Sequence, residues 1–192
     1  MRLSYPINLD VEDKICVVVG GGRVAHRKIC GLLEAKASVH VIAPELCDEL
    51  KTLVDARRLT WSERRYEAGS LPRGVLMIAA TDDPDVNRAA ATEAIDKGML
   101  VNVVDRSFDG GLRFENPSTI RRGKFMLTIS TGGASPALSK LIRQTLENIF
   151  DDDFGQRLDE IESMRSTAKH NVEVNIRNAL DSYRAQSQDG TD

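Results

Sequence analysis

Three stretches of this 192-residue sequence carry residue types at spacings that do chemistry. The first is Gly20-Gly21-Gly22-Arg23-Val24-Ala25, directly after the apolar, β-branched run Ile15-Cys16-Val17-Val18-Val19. This is the G-x-G-x-x-A form of a dinucleotide fingerprint. Gly20 permits a tight turn, Gly22 lets the backbone approach a pyrophosphate, and Ala25 keeps the following helix close to a sheet. The unpaired N–H groups that open that helix face the anion. The second is Asp105, which ends the apolar run from Leu100 to Val104. An ionisable group there costs energy unless it has a partner, such as the turn it caps, or a task. The third is a second glycine loop, Thr131-Gly132-Gly133-Ala134-Ser135-Pro136. Backbone N–H groups in such a loop suit anions. The preceding Arg121-Arg122-Gly123-Lys124 reads as a solvated turn, although a substrate rich in carboxylates would suit both segments.

The elements that must position these residues follow from periodicity. Residues 15–105 alternate strand and helix. A helix runs from Val24 to about Ala37, a strand from Ser38 to Ala43, a helix from Glu45 to Arg57 and a short edge strand from Leu59 to Arg64. Val75 to Ala80 is a continuous apolar run, as a strand buried on both faces requires. Thr81-Asp82-Asp83-Pro84 starts the next helix, with acids favoured by the helix dipole and Pro near the first helical position. Gly98 ends that helix, and Leu100 to Val104 is another buried strand. This rhythm predicts right-handed βαβ crossovers and a Rossmann-like parallel sheet. Its ligand crevice lies at the carboxyl ends of the strands, near Gly20–Ala25, Thr81 and Asp105. The rhythm then breaks. Lys124 to Ser130 reads as a strand with an apolar face and no local partner, which makes it a candidate for pairing across a two-fold axis. Ser135 caps a helix over 137–149 with Pro136 at its first position. Helical spacing continues over 151–185, and the tail 187–192 reads as disordered. The expected organisation is a dinucleotide domain over 1–113, a dimerisation segment over 114–149, and a helical domain with its tail over 150–192.

Composition narrows the class. With 41% hydrophobic and 29% charged residues the chain has the make-up of a soluble globular protein. A net charge of -3 argues against a nucleic-acid binder. No apolar run reaches membrane-span length, and the N-terminus lacks a signal-peptide pattern. Cys16, Cys30 and Cys47 show no zinc spacing, so core filling in a reduced, cytoplasmic setting is expected. His26, His40 and His170 lie in separate segments without metal-ligand spacing, and no metal ligand is assigned. The second strand ends Val41-Ile42-Ala43-Pro44-Glu45, with its acid later than the ribose-binding acid of an ordinary Rossmann domain. The choice between NAD and NADP therefore stays open on the residues alone.

Several separated stretches together resemble the precorrin-2 dehydrogenase and sirohydrochlorin ferrochelatase family, which includes the N-terminal module of siroheme synthase. They are Pro6-Ile7-Asn8-Leu9, Val18 to Gly22 with Val24-Ala25 and Arg27-Lys28, and Val41 to Leu46. Further on come Ala79 to Asp83 with Asn87, Val101-Asn102-Val103-Val104-Asp105, and Ile129 to Gly133 with Ser135-Pro136. The resemblance covers about residues 6–147. It implies oxidation of precorrin-2 to sirohydrochlorin with NAD+ as hydride acceptor, on the route to sirohaem, and some members also insert Fe2+. It implies cofactor contacts at Gly20, Gly22, Arg23, Val24, Ala25, Pro44, Glu45, Thr81, Asp82 and Asn102. Substrate contacts fall at Thr131, Gly132, Gly133 and Ser135, and Asp105 takes the proton that leaves with the hydride. In chelation the same carboxylate would relay pyrrole protons. The segment after Asp105 is longer than the family's, and Phe114-Glu115-Asn116-Pro117 is followed by Ser118. Nothing resembles the methyltransferase domain of the fused synthase, so methylation of uroporphyrinogen is not expected. The competing expectation is a non-catalytic NAD-sensing module, which would bind dinucleotide and no tetrapyrrole. A homodimer is expected.

Overall fold

The computed structural model describes residues 4–104, 108 and 110–167. The chain divides into two compact units, one spanning Pro6–Glu115 and the other built on residues from Asn116 onward. In the first, the order is β1 (Ile15–Val19), α1 (Arg23–Glu34), β2 (Ser38–Ala43), α2 (Asp48–Asp55), β3 (Thr60–Glu63), β4 (Leu76–Ala79), α3 (Pro84–Asp96) and β5 (Leu100–Val103). The five strands form one parallel sheet in the order β3-β2-β1-β4-β5.

The continuous apolar strands have the expected cause. In β1, Cys16 and Val18 face a core with Ala25, Ile29 and Leu32 of α1 and Leu50 of α2. Val17 and Val19 face the opposite core, with Ala90, Ala91 and Ala94 of α3. A strand covered on both faces has no polar side to show. Strand order reverses between β1 and β4, so the ligand crevice of an open α/β sheet opens at their carboxyl ends. The Rossmann-like expectation is met, with β3 at the edge.

Element ends differ where backbone geometry intervenes. α1 stops at Glu34 because Lys36 turns left-handed, with φ 57°. α2 starts at Asp48 rather than Glu45, because residues 44–47 are spent folding back on the glycine loop. β5 is not a bare edge: Val101 N–H donates to Leu112 O and Phe114 N–H to Val101 O, both at 3.0 Å. These bonds make a short parallel bridge between Val101 and Arg113. Cys16 fills core as expected, and burial pushes its thiol pKa up to about 11.

A carboxylate locks the β3–β4 connection onto α3. Glu93 accepts from Gly69 N–H (2.9 Å), Leu71 N–H (2.9 Å), Tyr66 Oη (2.7 Å) and Lys97 Nζ (2.6 Å). Burial alone would raise its pKa, but the four donors outweigh that and hold it at about 2, from an ordinary 4.5. The Tyr66 hydroxyl is pushed up by burial, by its hydrogen bond to Glu93 and by that charge. The folded pKa lies below the unfolded one, so this stabilisation is complete above pH 4.5 and is lost as pH falls toward 2. Glu93→Gln should destabilise by about 2–3 kcal/mol at neutral pH, since an amide cannot serve all four donors. The variant's thermal unfolding should also lose most of the acid dependence in that window. An unchanged profile of Tm against pH would refute the assignment.

The second unit holds β6 (Ser118–Arg122), β7 (Phe125–Ile129), α4 (Pro136–Glu147) and α5 (Asp153–Thr167). Here one expectation is corrected. β7 does have a local partner: it pairs antiparallel with β6, with Ile120 opposite Leu127. The Arg121–Lys124 run holds the exposed turn expected of it, the loop of a hairpin with Gly123 at φ 55° in the first loop position as a two-residue hairpin favours. Its cations are engaged, Arg122 with Asp152 at 3.0 Å and Lys124 with Glu162. Phe125, Phe150 and Phe154 form a three-ring cluster with centroids 4.7–5.0 Å apart, joining β7 to the start of α5. No helix among the described residues is long and apolar enough to cross a membrane. The helical pattern beyond Thr167 and the tail lie outside the described residues.

Candidate functional site

The glycine loop is fixed by its neighbours. Gly20 has φ +124°, and a Cβ there would stand 2.4 Å from Ala80 O, so only glycine joins β1 to α1 beside the end of β4. Gly21 is equally constrained, since a Cβ would lie 2.0 Å from Glu45 O. Gly22 is the opposite case: nothing lies within 4 Å of its Cβ position. Gly20 and Gly21 are therefore packed into the protein, and Gly22 faces open space.

That space lies at the N-terminus of α1. Two other helices satisfy their first N–H groups internally. In α3, Asp83 accepts from Asp85 N–H (2.9 Å) and Val86 N–H (3.2 Å), while in α4 Ser135 Oγ accepts from Leu138 N–H (3.2 Å). α2 has no side-chain cap but carries Asp48 and Glu49 in its first turn. α1 has neither a side-chain cap nor an acid in its first turn. Uncapped N–H groups at the positive end of a helix suit an anion supplied from outside. Arg23, exposed at the first helical position, adds a cation, and Val24 is 42% exposed despite being apolar. Ala25 is fully buried against the sheet, as its place in the fingerprint requires.

The rest of the rim is placed as follows. Thr81 follows β4, and its polar groups are taken up by Asn87. The Thr81 N–H donates to Asn87 Oδ1 at 3.0 Å, Asn87 Nδ2 donates back to Thr81 O at 3.0 Å, and the Thr81 hydroxyl donates to Asn87 Oδ1 at 2.8 Å. Asp82 is exposed beside it. Asn87, 2% exposed, was not singled out by residue type, although its offset from Thr81 suits a side chain reaching back over a first helical turn. Asn102 on β5 donates Nδ2–H to Phe114 O at 2.7 Å, and its buried Oδ1 has no partner among the described residues. An orphaned buried acceptor costs about 1–3 kcal/mol, which a ligand donor can offset. Asp105 lies outside the described residues.

The second glycine loop belongs to the other unit. Gly132 and Gly133 take φ +59° and +79°. Its N–H groups are mostly spoken for: Gly132 donates to Ser130 Oγ, Ala134 to Thr131 O and Ser135 to Thr131 Oγ1, each at 3.1 Å. The loop is thus a self-braced turn, with Thr131 also 3.2 Å from the buried Ser139 hydroxyl.

A parallel sheet with reversed strand order, a glycine turn and an uncapped helix define a Rossmann-type dinucleotide-binding domain, and the open space at Gly22 fits a pyrophosphate. Comparison with known proteins agrees. Residues 7–114 match the family described as putative NAD(P)-binding, and residues 127–149 match the sirohaem biosynthesis protein central family. Siroheme synthase of Chromobacterium violaceum is 41% identical over 152 residues, covering 79% of this chain and 32% of that protein. Siroheme synthase of Thioalkalivibrio sulfidiphilus is 36% identical, covering 88% and 34%. The chain spans about a third of the length of these relatives. A solved structure of SirC, a precorrin-2 dehydrogenase, superposes with TM-score 0.74 at 26% identity, covering 95% of this chain and 100% of that one. The chain belongs to the putative NAD(P)-binding family. A match to the sirohaem central family follows in the same chain, which is similar to siroheme synthases and to a precorrin-2 dehydrogenase.

Proposed function

We propose that this chain oxidises precorrin-2 to sirohydrochlorin with NAD+, in the cytoplasm. The observation that carries the reading is the uncapped α1 N-terminus over the open Gly22 position, in a chain similar along its length to a precorrin-2 dehydrogenase. NAD+, when bound, supplies the hydride acceptor. This chain's residues do the rest. The N–H groups after Gly22, with Arg23, Val24 and Ala25, hold the pyrophosphate, and Gly20 keeps the loop tight against β4. Pro44 and Glu45 line the adenosine side. Thr81, Asp82 and Asn102 line the edge toward β5, where the free Asn102 Oδ1 accepts a hydrogen bond from the ligand. Asp105 accepts the proton lost as the hydride leaves. Thr131, Gly132, Gly133 and Ser135 contact the tetrapyrrole. The dinucleotide function belongs to residues 1–113, the dimer contact to 114–149 and a helical domain to 150–192.

Anaerobic incubation of the purified chain with precorrin-2 and NAD+ should give the sirohydrochlorin spectrum with matching NADH. No turnover, while a known dehydrogenase works alongside, would refute the reading. Binding of NAD+ with no affinity for any tetrapyrrole would instead mark a sensor. Fe2+ insertion is the finer part of the proposal. It requires that the chain accelerate metal uptake by sirohydrochlorin above the uncatalysed rate.

The proposal includes a homodimer. β7 has its hairpin partner, so the support lies elsewhere: a two-stranded sheet leaves two open edges. α4 also exposes Leu138, Leu141 and, just beyond its end, Ile149 at 47%, 60% and 45%. Sedimentation at micromolar concentration should return a dimer mass. A monomer would count against this part alone.

A further inference from the structure

The histidines alone, and the cysteines alone, show no metal-ligand spacing, but α1 carries one of each a single turn apart. His26 and Cys30 stand at i and i+4, neighbouring positions on one face of a helix. Their donor atoms meet, with His26 Nε2 3.3 Å from Cys30 Sγ. Both side chains are half-buried. Burial first, and then the negative charge of Glu34 one turn further on, raise the Cys30 pKa above its ordinary 9.0. The thiol therefore keeps its proton at neutral pH and donates it to Nε2, so one proton sits between a sulfur and a nitrogen. That separation is also the bite of a metal shell. Zinc bonds of about 2.3 Å to sulfur and about 2.0 Å to nitrogen, at a tetrahedral angle, set the two donors about 3.5 Å apart. The charge around the pair suits a cation. Glu34 is close enough for its charge to act on Cys30. Glu49, in the first turn of α2, is held below the usual carboxylate range by its own backbone N–H and the Cys47 thiol, then by the charges of His26 and Arg23. Among the described residues no group of three ligand side chains forms a complete shell. The pair is thus a two-point clamp whose other positions are left to water.

We propose that His26 and Cys30 clamp a divalent cation of borderline softness, Zn2+ by its tetrahedral preference and its affinity for mixed nitrogen and sulfur donors. His26 Nε2 gives its lone pair, Cys30 releases its proton to solvent and binds as the thiolate, and water fills the remaining positions. The ion takes the place of the shared proton, and Glu34 and Glu49 supply the neighbouring negative charge. It bridges one turn of α1 and so stabilises the helix that the glycine loop opens. This ion is bound rather than turned over: neither residue is among those assigned to the cofactor or the tetrapyrrole.

The test titrates the full, reduced chain with Zn2+ by calorimetry and with Co2+ by absorption, for the wild type, Cys30→Ala, His26→Gln and Cys47→Ala. The wild type should bind one Zn2+ with a Kd on the order of 10 μM, weaker than a four-ligand structural site. Co2+ should give a thiolate-to-metal band in the near ultraviolet. Cys30→Ala should abolish that band, and Cys30→Ala and His26→Gln should each weaken Zn2+ binding by roughly tenfold or more. Cys47→Ala should behave as the wild type, because its thiol is engaged with Glu49. Zn2+ should raise Tm only in the wild type and Cys47→Ala. His26→Gln keeps a good helix former at its position, so it carries the test should Cys30→Ala fail to fold. A wild type without saturable Zn2+ binding overturns the proposal, as does wild-type affinity in either folded clamp variant. A Co2+ band lost in Cys47→Ala and kept in Cys30→Ala overturns it equally.

Discussion

Asp105→Asn should lower single-turnover oxidation of precorrin-2 by about 10²- to 10⁴-fold, the range a positioned general base contributes. Tm and NAD+ affinity should stay near wild type, because the amide is close to isosteric and lies outside the pyrophosphate loop. The lost reaction is specific. Precorrin-2 gives up a hydride to the nicotinamide and a proton to a base, and an amide cannot take the proton. If Fe2+ insertion is present and uses the same carboxylate to relay pyrrole protons, it should fall in parallel. A carboxylate that merely caps its turn predicts the reverse, a stability loss of about 1 kcal/mol with turnover kept. Melting, NAD+ titration and single-turnover oxidation on this one variant separate the two. A stable, NAD-binding Asp105→Asn chain at wild-type speed would remove Asp105 from the mechanism.

The second large effect separates two glycines of one loop. Gly22→Ala should fold normally, since its φ of -87° suits alanine and its Cβ meets nothing within 4 Å. The methyl group then occupies the space the pyrophosphate needs, and NAD+ affinity should drop roughly 10- to 100-fold, about 1.4–2.8 kcal/mol. Gly20→Ala should fail differently. Its φ of +124° and a contact of 2.4 Å with Ala80 O put the strain in the protein itself. Destabilisation of about 2–4 kcal/mol is expected with or without ligand. Calorimetric melting of both variants, with and without NAD+, reads the difference. Equal melting points for the two, or full NAD+ affinity in Gly22→Ala, would show that the dinucleotide does not lie over Gly22.

Much of the first unit could be read from residue order because the relevant interactions are local or simply periodic. Apolar runs such as Val17-Val18-Val19 and Met77-Ile78-Ala79 have no polar alternation, which by itself demands cover on both faces. The start of α3 was legible for the same reason. Asp83 caps N–H groups two and three residues on, and Pro84 costs nothing at the first turn. The hairpin of β6 and β7 was not legible from Ser-Thr-Ile-Arg-Arg. Its apolar content is one residue, Ile120, whose burial depends on Leu127 and the helices that cover it. The ion pairs of Arg122 and Lys124 were not legible because their partners, Asp152 and Glu162, are some 30 residues or more along the chain.

What the sequence by itself determined is the type of site: strand, glycine turn and helix. These follow from sterics and periodicity within windows shorter than a βαβ unit. Tertiary structure alone decided how that site is finished. It pinned Gly20 and Gly21 against the carbonyls of Ala80 and Glu45, just past the ends of β4 and β2, while leaving Gly22 open. It brought three donors of the 66–71 connection onto Glu93, beside Lys97 one turn along the chain, and folded Glu45 back beside the loop from a position that looked too late. Such contacts join residues far apart in the chain, and no local propensity encodes a distance that only the packed sheet sets.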